Sequence, residues 1–293
     1  MEKKFYLCKG YKANIIKDKS LIFYHLPKSG GTTFCNLFSY LFKKNMRIWG
    51  SFDGERNTNS AYNYFIKNKK NILLSKTDFI YGHIPYKLSY HFNNRISATL
   101  IRNPLERIIS HYNMIIDREL IDKKTDIENC FRNKIIPNNV TTKQFCGEWK
   151  DNLILNERLY KKAIINLSEK IDYVYDTNNS HELFNLIISI YNLPNLFFQN
   201  YQITKKNYFI ENKKNFEAIK NYNNYDIRLY KYLKKNNIFT KINKKKKSRD
   251  NQLFFYLSPY LLLNKKQNYL LTQDNFLKIM EDIQNKKYII KEY

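Results

Sequence analysis

Residues 21–43, LIFYHLPKSGGTTFCNLFSYLFK, constrain the fold more than any other stretch of the 293-residue chain. The first six residues are apolar or aromatic apart from His25, which predicts a short buried strand, and from Phe34 onward apolar residues recur at helical spacing. A strand that turns through Gly30 and Gly31 into a helix leaves backbone N–H groups free at the helix N-terminus. The segment therefore predicts either an anion site or only a tight strand-to-helix connection.

The polar side chains of this turn favour the anion site. Lys28 adds a positive charge, and Thr32 and Thr33 add hydroxyl donors. In the nucleotide-binding loop GxxxxGK[ST] the lysine follows the glycines, whereas here it precedes them, and no copy of that motif occurs in the chain. The sequence thus predicts a cradle for phosphate or sulfate that is not an ATPase or GTPase loop.

Strands and helices alternate along the chain beyond this segment. The pattern predicts strands at 21–26, 77–81, 96–101 and 173–175, with helices at 32–43, 104–116, 153–168 and 180–192. Residues 45–70 indicate a polar loop followed by a weak helix. Such alternation predicts an α/β fold with a central, mostly parallel sheet flanked by helices.

Polar residues follow three of these strands, where ligands bind in parallel sheets. Lys28 follows the first, His83 the second and Arg102 the third. His83 could act as a general base near pH 7, or could be a structural histidine bonded to a carbonyl. Arg102 and Ser110 are eight residues apart, so they could hold one anion, or Arg102 could pair with Glu106 while Ser110 bonds its own helix.

The helix after Arg102 has three start signals: Asn103 at the N-cap, Pro104 at the first helical position and Glu106 in the first turn. It carries Arg102 immediately before it and Ser110 about two turns along. This geometry is what would allow both side chains to reach one anion.

The net charge of +25 indicates an anionic ligand or partner, or else a drift of the surface composition towards Lys and Asn. No run approaches the roughly 18 apolar residues of a membrane span. The N-terminus lacks the apolar core of a signal peptide, and the four cysteines lack metal-type spacing. These features predict a cytoplasmic protein without a transmembrane segment.

Taken together, the motifs resemble a known enzyme family. LIFYHLPKSGGTTF is similar to the 5′-phosphosulfate loop, and ATLIRNPLERIISHY to the 3′-phosphate motif, of sulfotransferases that use 3′-phosphoadenosine 5′-phosphosulfate (PAPS). Tyr81-Gly82-His83 resembles the Gly-His element of the carbohydrate type related to heparan sulfate 2-O-sulfotransferase. Residues 139–147 and 225–233 resemble two further family segments, whereas 175–179 depart from a Gly-Leu-Thr-Glu-like stretch that relatives often have.

The resemblance implies a P-loop-like three-layer fold and a role for each matching residue. Lys28 would neutralise charge on the leaving phosphate, and His83 would take the proton of the acceptor hydroxyl. Arg102 and Ser110 would hold the 3′-phosphate. The 5′-phosphosulfate would be held by Lys28, Ser29, Gly30, Gly31, Thr32 and Thr33. No metal is implied.

The acceptor implied by the resemblance is a sugar hydroxyl of a glycan or polysaccharide, which the basic surface would suit if the polymer is acidic. The alternatives are a protein tyrosine, lipid or small alcohol with the same cofactor, or a non-catalytic basic module that binds nucleotides or nucleic acid. A Gly-His element between the two anion motifs argues against the module, so no nucleic-acid partner is expected. The sequence further predicts a sulfotransferase domain at 1–240, and at 241–293 a basic linker with a helical extension packed on it.

Overall fold

The computed structural model describes residues 4–11, 13–16, 18–48, 66, 77–92, 94–148, 153–199 and 207–239, and short strands at 254–257, 270–271 and 289–292. The chain divides into two compact units. The larger unit combines Lys19–Asn178 with Thr204–Lys241, and the smaller unit combines Met1–Asp18, Asn179–Ile203 and Ile242–Tyr293. Residues 1–18 and 179–203, predicted to lie in a domain of 1–240, thus group with the C-terminal segment.

The described strands and helices are numbered in chain order. The strands are β1 (Lys4–Cys8), β2 (Ser20–Tyr24), β3 (Asn45–Ile48), β4 (Phe79–Gly82), β5 (Arg95–Ile101), β6 (Tyr173–Asp176), β7 (Asn195–Gln199), β8 (Phe254–Leu257), β9 (Leu270–Leu271) and β10 (Ile289–Glu292). The helices are α1 (Gly31–Leu41), α2 (Pro104–Asp117), α3 (Ile127–Arg132), α4 (Val140–Phe145), α5 (Glu157–Ile165), α6 (Ser180–Ile190), α7 (Lys213–Tyr222) and α8 (Asn224–Lys235). Short 3₁₀ helices lie at Tyr86–His91 and Thr177–Asn179, and a π-helical turn at Asn166–Lys170 continues α5.

The larger unit is built on a five-stranded sheet of order β3-β4-β2-β5-β6, in which every neighbouring pair is parallel. Strand β2 is central, and its residues 21–24 are fully buried, as their continuous apolar run requires of a strand covered on both faces. The predicted strands are confirmed as β2, β4, β5 and β6. The α/β fold with a central parallel sheet flanked by helices is confirmed.

Local sequence signals explain how the two helices next to the site begin. Asn103 accepts a hydrogen bond from the backbone N–H of Leu105 at 3.0 Å, and Pro104 occupies the first turn of α2, as predicted. Helix α1 instead begins after Gly30 and packs Phe34 and other apolar residues on the sheet, where the Phe34 ring stacks on Phe23 at 4.1 Å. The chain direction therefore reverses at the carboxyl edge of the sheet after both β2 and β5.

The sequence predicts a loop and a weak helix in the segment 45–70, and this prediction is wrong for the first four residues. Residues 45–48 form β3 at the edge of the sheet, with Asn45 and Arg47 exposed and Ile48 buried. A four-residue edge strand with two polar side chains lacks the apolar run from which a strand could be predicted. Apart from residue 66, the rest of the segment from 49 lies outside the described residues.

The smaller unit contains α6 and a mixed sheet of order β10-β1-β7-β8-β9. Strand β1 pairs parallel to β10 and antiparallel to β7. The helical extension predicted for 241–293 is corrected at 254–257, 270–271 and 289–292, where the chain is in strands, and the remainder lies outside the described residues. No helix in the described part of the chain is long and apolar enough to cross a membrane.

Candidate active site

The turn between β2 and α1 forms a cradle because two of its residues adopt left-handed backbone conformations. Lys28 has a φ of 64° and Gly30 a φ of 72°, values that are uncommon for a lysine and easy for a glycine. Helix α1 starts at the next residue, and no side chain caps its N-terminus. Its first N–H groups are therefore left for a ligand or for water, as the sequence predicts.

A glycine at position 31 is required by the ring of His25. A Cβ atom there would lie 2.2 Å from His25 Cδ2 and 2.9 Å from Nε2. His25 was placed inside the predicted strand, and this is corrected: β2 ends at Tyr24, and the His25 backbone N–H donates to the carbonyl of Gly82 at 2.9 Å. His25 thus contacts the cradle through its buried ring and the end of β4 through its backbone N–H.

The hydroxyl groups of the cradle lie at different depths. Ser29 is fully buried, and its Oγ has no hydrogen-bond partner in the described part of the chain. Thr32 is half-buried and Thr33 is buried, both in the first turn of α1. A buried hydroxyl normally has a partner, so Ser29 fits a site that is completed by a ligand.

Lys28 lies among other cations. Burial, followed by the charges of Arg118 and Arg102, lowers its pKa from 10.5 to about 8. No carboxylate among the described residues forms an ion pair with it. An anion bound in the cradle would offset this repulsion and raise the pKa of Lys28 again.

Arg102 lies at the end of β5 and is shared between two contacts. Its Nη1 donates to the carbonyl of Lys28 at 3.3 Å, and its Nε donates to Glu106 at 3.2 Å. The pairing with Glu106 considered from the sequence is therefore present, and because both side chains are partly exposed it contributes little stability. Ser110 is half-buried on α2, and it makes no hydrogen bond to its own helix within the described residues, so the other half of that alternative is not observed.

His83 directly follows β4, beside the cradle. Its ring centroid lies 4.7 Å from that of His25, which in turn contacts position 31. Gly82 has a φ of 142°, and a Cβ atom there would lie 1.7 Å from the carbonyl oxygen of Ile48, so only glycine allows β3 and β4 to meet at this point. Burial, and then the charges of His83 and Arg47, hold the pKa of His25 well below its usual range.

Two residues of α2 that the sequence did not single out belong to the same region. The guanidinium of Arg107 and the Nδ1 atom of His111 are buried and have no hydrogen-bond partner in the described residues. Burial, followed by the charges of Arg107, Lys28, His83 and Arg118, lowers the pKa of His111 to about 3. Their i, i+4 spacing places them on one face of the helix that carries Ser110, but this spacing alone does not indicate a site.

The segment 175–179 touches the cradle through Thr177. Thr177 Oγ1 donates to the carbonyls of Ser29 at 3.4 Å and Ile101 at 3.2 Å. A Cβ atom at Gly30 would lie 3.4 Å from Thr177 Cγ2. The threonine therefore joins the cradle to the end of β5.

Residues from the segments 139–147 and 225–233 hold the loop after β4 in place. Gln144 on α4 donates to the carbonyl of Ile84, next to His83, at 2.8 Å. Asp226 on α8 accepts hydrogen bonds from the N–H groups of Thr141 and Thr142 at 3.0 and 2.8 Å. These bonds fix the N-terminus of α4, and through Gln144 they fix the loop after β4.

Lys28, His83 and Arg102 thus follow β2, β4 and β5, which are neighbours in the sheet. A family model described as Sulfotransferase family matches residues 11–254, which is more than half of the chain and includes all three strand ends. The chain belongs to the sulfotransferase family. Members of this family are enzymes that transfer sulfuryl groups, and the central parallel sheet agrees with their fold. Comparison with curated proteins finds no match.

Proposed function

We propose that this sulfotransferase takes its sulfuryl group from PAPS and transfers it to a hydroxyl of a carbohydrate acceptor. The observation that carries the proposal is that three neighbouring strands, β4, β2 and β5, are followed by His83, Lys28 and Arg102. Lys28 precedes the uncapped N-terminus of α1 and has no acidic partner among the described residues. PAPS carries a 5′-phosphosulfate and a 3′-phosphate. The cradle offers N–H donors and the positive charge of Lys28 to the 5′-phosphosulfate. Arg102 and Ser110 offer a guanidinium and a hydroxyl to the 3′-phosphate.

In this proposal each part of the donor is held by different residues. The N–H groups at the start of α1, with Lys28, Ser29, Thr32 and Thr33, hold the phosphosulfate, because oxyanions bind at free helix N-termini and beside full positive charges. Gly30 and Gly31 let the backbone approach closely. Arg102 reaches the 3′-phosphate with the part of its guanidinium that does not contact Glu106 or Lys28, and Ser110 completes the shell.

When bound, PAPS supplies an activated sulfuryl group whose bond to the 5′-phosphate oxygen breaks as the acceptor oxygen attacks sulfur. His83 takes the proton of the attacking hydroxyl, which becomes more acidic as its oxygen bonds to sulfur. Lys28 neutralises the charge that grows on the departing phosphate oxygen. As in phosphoryl transfer, positioning and charge neutralisation supply most of the rate.

The carbohydrate acceptor is supported by the Gly82-His83 element and by the basic surface. A net charge of +25 attracts an acidic polymer and accelerates its encounter with the enzyme. The same donor site would also serve a protein tyrosine, a lipid or a small alcohol. A cytoplasmic location remains a prediction.

The test is transfer of labelled sulfate from PAPS to a panel of polysaccharides, with wild-type protein and two histidine variants. His83→Ala should lower the rate by about 10²- to 10⁴-fold, the usual worth of a general base, and leave the affinity for 3′,5′-ADP within about twofold of wild type. His181→Ala, in the smaller unit, is the control and should keep wild-type activity. Unchanged turnover in His83→Ala would remove this histidine from the reaction.

A further inference from the structure

A cleft between α2 and α8 lies next to the proposed donor site and is not used by it. Its volume is about 430 Å³, within the range of small-ligand pockets. Residues 103–105 form one wall, at the start of α2. Ile227, Tyr230 and three lysines of α8 form the other. We refer to this space as the α8 cleft.

The α8 cleft is held close to the reacting groups by contacts on both walls. The α2 wall begins one residue after Arg102, whose Nη1 lies 3.3 Å from the carbonyl oxygen of Lys28. The α8 wall is fixed by the hydroxyl of Tyr230, which donates to Asp176 at the end of β6 at 2.5 Å. The cleft therefore opens at the same carboxyl edge of the sheet as the cradle.

The rim of the α8 cleft is positively charged. Lys231, Lys234 and Lys235 are exposed and lie on one face of α8, at i, i+3 and i+4. None of the three forms an ion pair with a residue that the structure describes. Like charges at this spacing destabilise a helix, so an anion beside them would be stabilising.

The two nearby carboxylates do not neutralise these lysines. Glu106 pairs with Arg102 at 3.2 Å. Asp176 accepts the hydroxyl of Tyr230 and also the backbone N–H of Asn178 at 2.8 Å. Burial, the hydrogen bond to Asp176 and the charge of Glu106 raise the pKa of Tyr230, so this hydroxyl stays a neutral donor.

Both walls contribute apolar residues to the lining of the α8 cleft, and we refer to this apolar part as its floor. Pro104, Leu105, Ile227 and the ring of Tyr230 line it. Apolar and aromatic surfaces suit the C–H face of a sugar ring, while flexible lysines at the rim suit carboxylate or sulfate groups that vary in position along a polymer. A phosphate group alone would not use the apolar floor.

We propose that the α8 cleft binds an anionic sugar residue of the acceptor, one that carries a carboxylate or a sulfate, and so selects acidic glycans over neutral ones. This rests on the proposed function, because it assumes a glycan acceptor. The cleft then acts as a specificity site: it holds the polymer beside the cradle while a neighbouring hydroxyl meets His83.

The experiment measures binding of a heparin-derived tetrasaccharide and of neutral maltotetraose to the full chain at fixed salt. The test protein carries Lys231→Ala, Lys234→Ala and Lys235→Ala together. The control carries Lys123→Ala, Lys124→Ala and Lys170→Ala, which removes three equally exposed charges elsewhere and lowers the net charge from +25 to the same +22. Affinity for 3′,5′-ADP is measured on every protein.

The test variant should bind the acidic tetrasaccharide about tenfold more weakly than wild type, because each of the three exposed charge contacts contributes about two- to threefold. The control variant should bind it as wild type does, and both should keep their affinity for 3′,5′-ADP. Equal losses in the two variants would show general charge attraction and overturn the proposal. Competition between 3′,5′-ADP and the tetrasaccharide would assign the cleft to the donor and overturn the proposal. Equal affinity for an oligonucleotide of the same charge would show that the cleft does not recognise a glycan, and would overturn the proposal as well. Failure of 3′,5′-ADP to bind any of the proteins would instead contradict the proposed function.

Discussion

The lowered pKa of Lys28 makes donor binding depend on pH in a predictable direction. With a pKa of about 8 in the free protein, Lys28 is roughly nine-tenths protonated at pH 7 and roughly one-tenth at pH 9. A bound anion raises this pKa, because opposite charge favours the protonated form. Binding is therefore strongest below pH 8 and weakens as the pH rises through the pKa of the free protein. The affinity for 3′,5′-ADP should fall about tenfold from pH 7 to pH 9.

Calorimetry gives this prediction a second, independent measurement. At pH 8 about half of the protein molecules must take up a proton when the ligand binds, so titrations in buffers of different ionisation enthalpy should show an uptake of about 0.5 protons. The phosphates of the ligand titrate near pH 6, below this range. Burial raises the pKa of all four cysteine thiols, for Cys130 to about 11. Most of the titration of these thiols therefore lies above the pH range of the measurement.

A variant of Lys28 that removes its charge tests whether this lysine causes the pH dependence and the proton uptake. Lys28→Met should bind weakly at every pH with no proton uptake, whereas Lys43→Met, at an exposed position, should keep the wild-type profile. A wild-type affinity that stays flat between pH 7 and 9, or uptake that persists in Lys28→Met, would refute the assignment of Lys28 to the anion.

Two further changes test the supports of the cradle. Gly31→Ala places a methyl group 2.2 Å from His25 Cδ2 and should lower the free energy of unfolding by about 1–3 kcal/mol in urea denaturation. Adding His25→Ala should recover at least about 1 kcal/mol of that loss, and strictly additive effects would disprove the contact. Thr177→Val removes the bonds to Ser29 and Ile101 and should weaken 3′,5′-ADP binding several-fold, with Thr177→Ser retaining it; equal binding by the two variants would mean that the hydroxyl does not position the cradle.

The sequence predicted the parts of the fold that have strong local signals. The buried strands β2, β4, β5 and β6 are apolar runs, and α2 carries its own cap at Asn103. Lys28, His83 and Arg102 were placed correctly at strand ends because each follows such a run. These three residues come together because β4, β2 and β5 are parallel neighbours in the sheet.

The parts that the sequence did not predict depend on contacts between distant residues. Strand β3 is an edge strand whose polar residues face outward, and its tight pairing requires Gly82. The N-terminus of α4 is held by Asp226, more than 80 residues away. The involvement of Arg107 and His111 is visible only once α2 is packed beside the cradle, since an arginine and a histidine on a helix are usually exposed.

In the proposed function, Arg102 and Ser110 bind the 3′-phosphate that distinguishes the PAPS donor from ordinary nucleotides. The most direct measurement compares the affinities of the wild-type protein and of Arg102→Ala for 3′,5′-ADP and 5′-AMP. A hydrogen bond to a charged group contributes about 1.5–3 kcal/mol, so wild type should prefer 3′,5′-ADP by at least about tenfold, and Arg102→Ala should lose most of that preference. Equal affinities of the wild-type protein for the two nucleotides would contradict this role of Arg102 and Ser110.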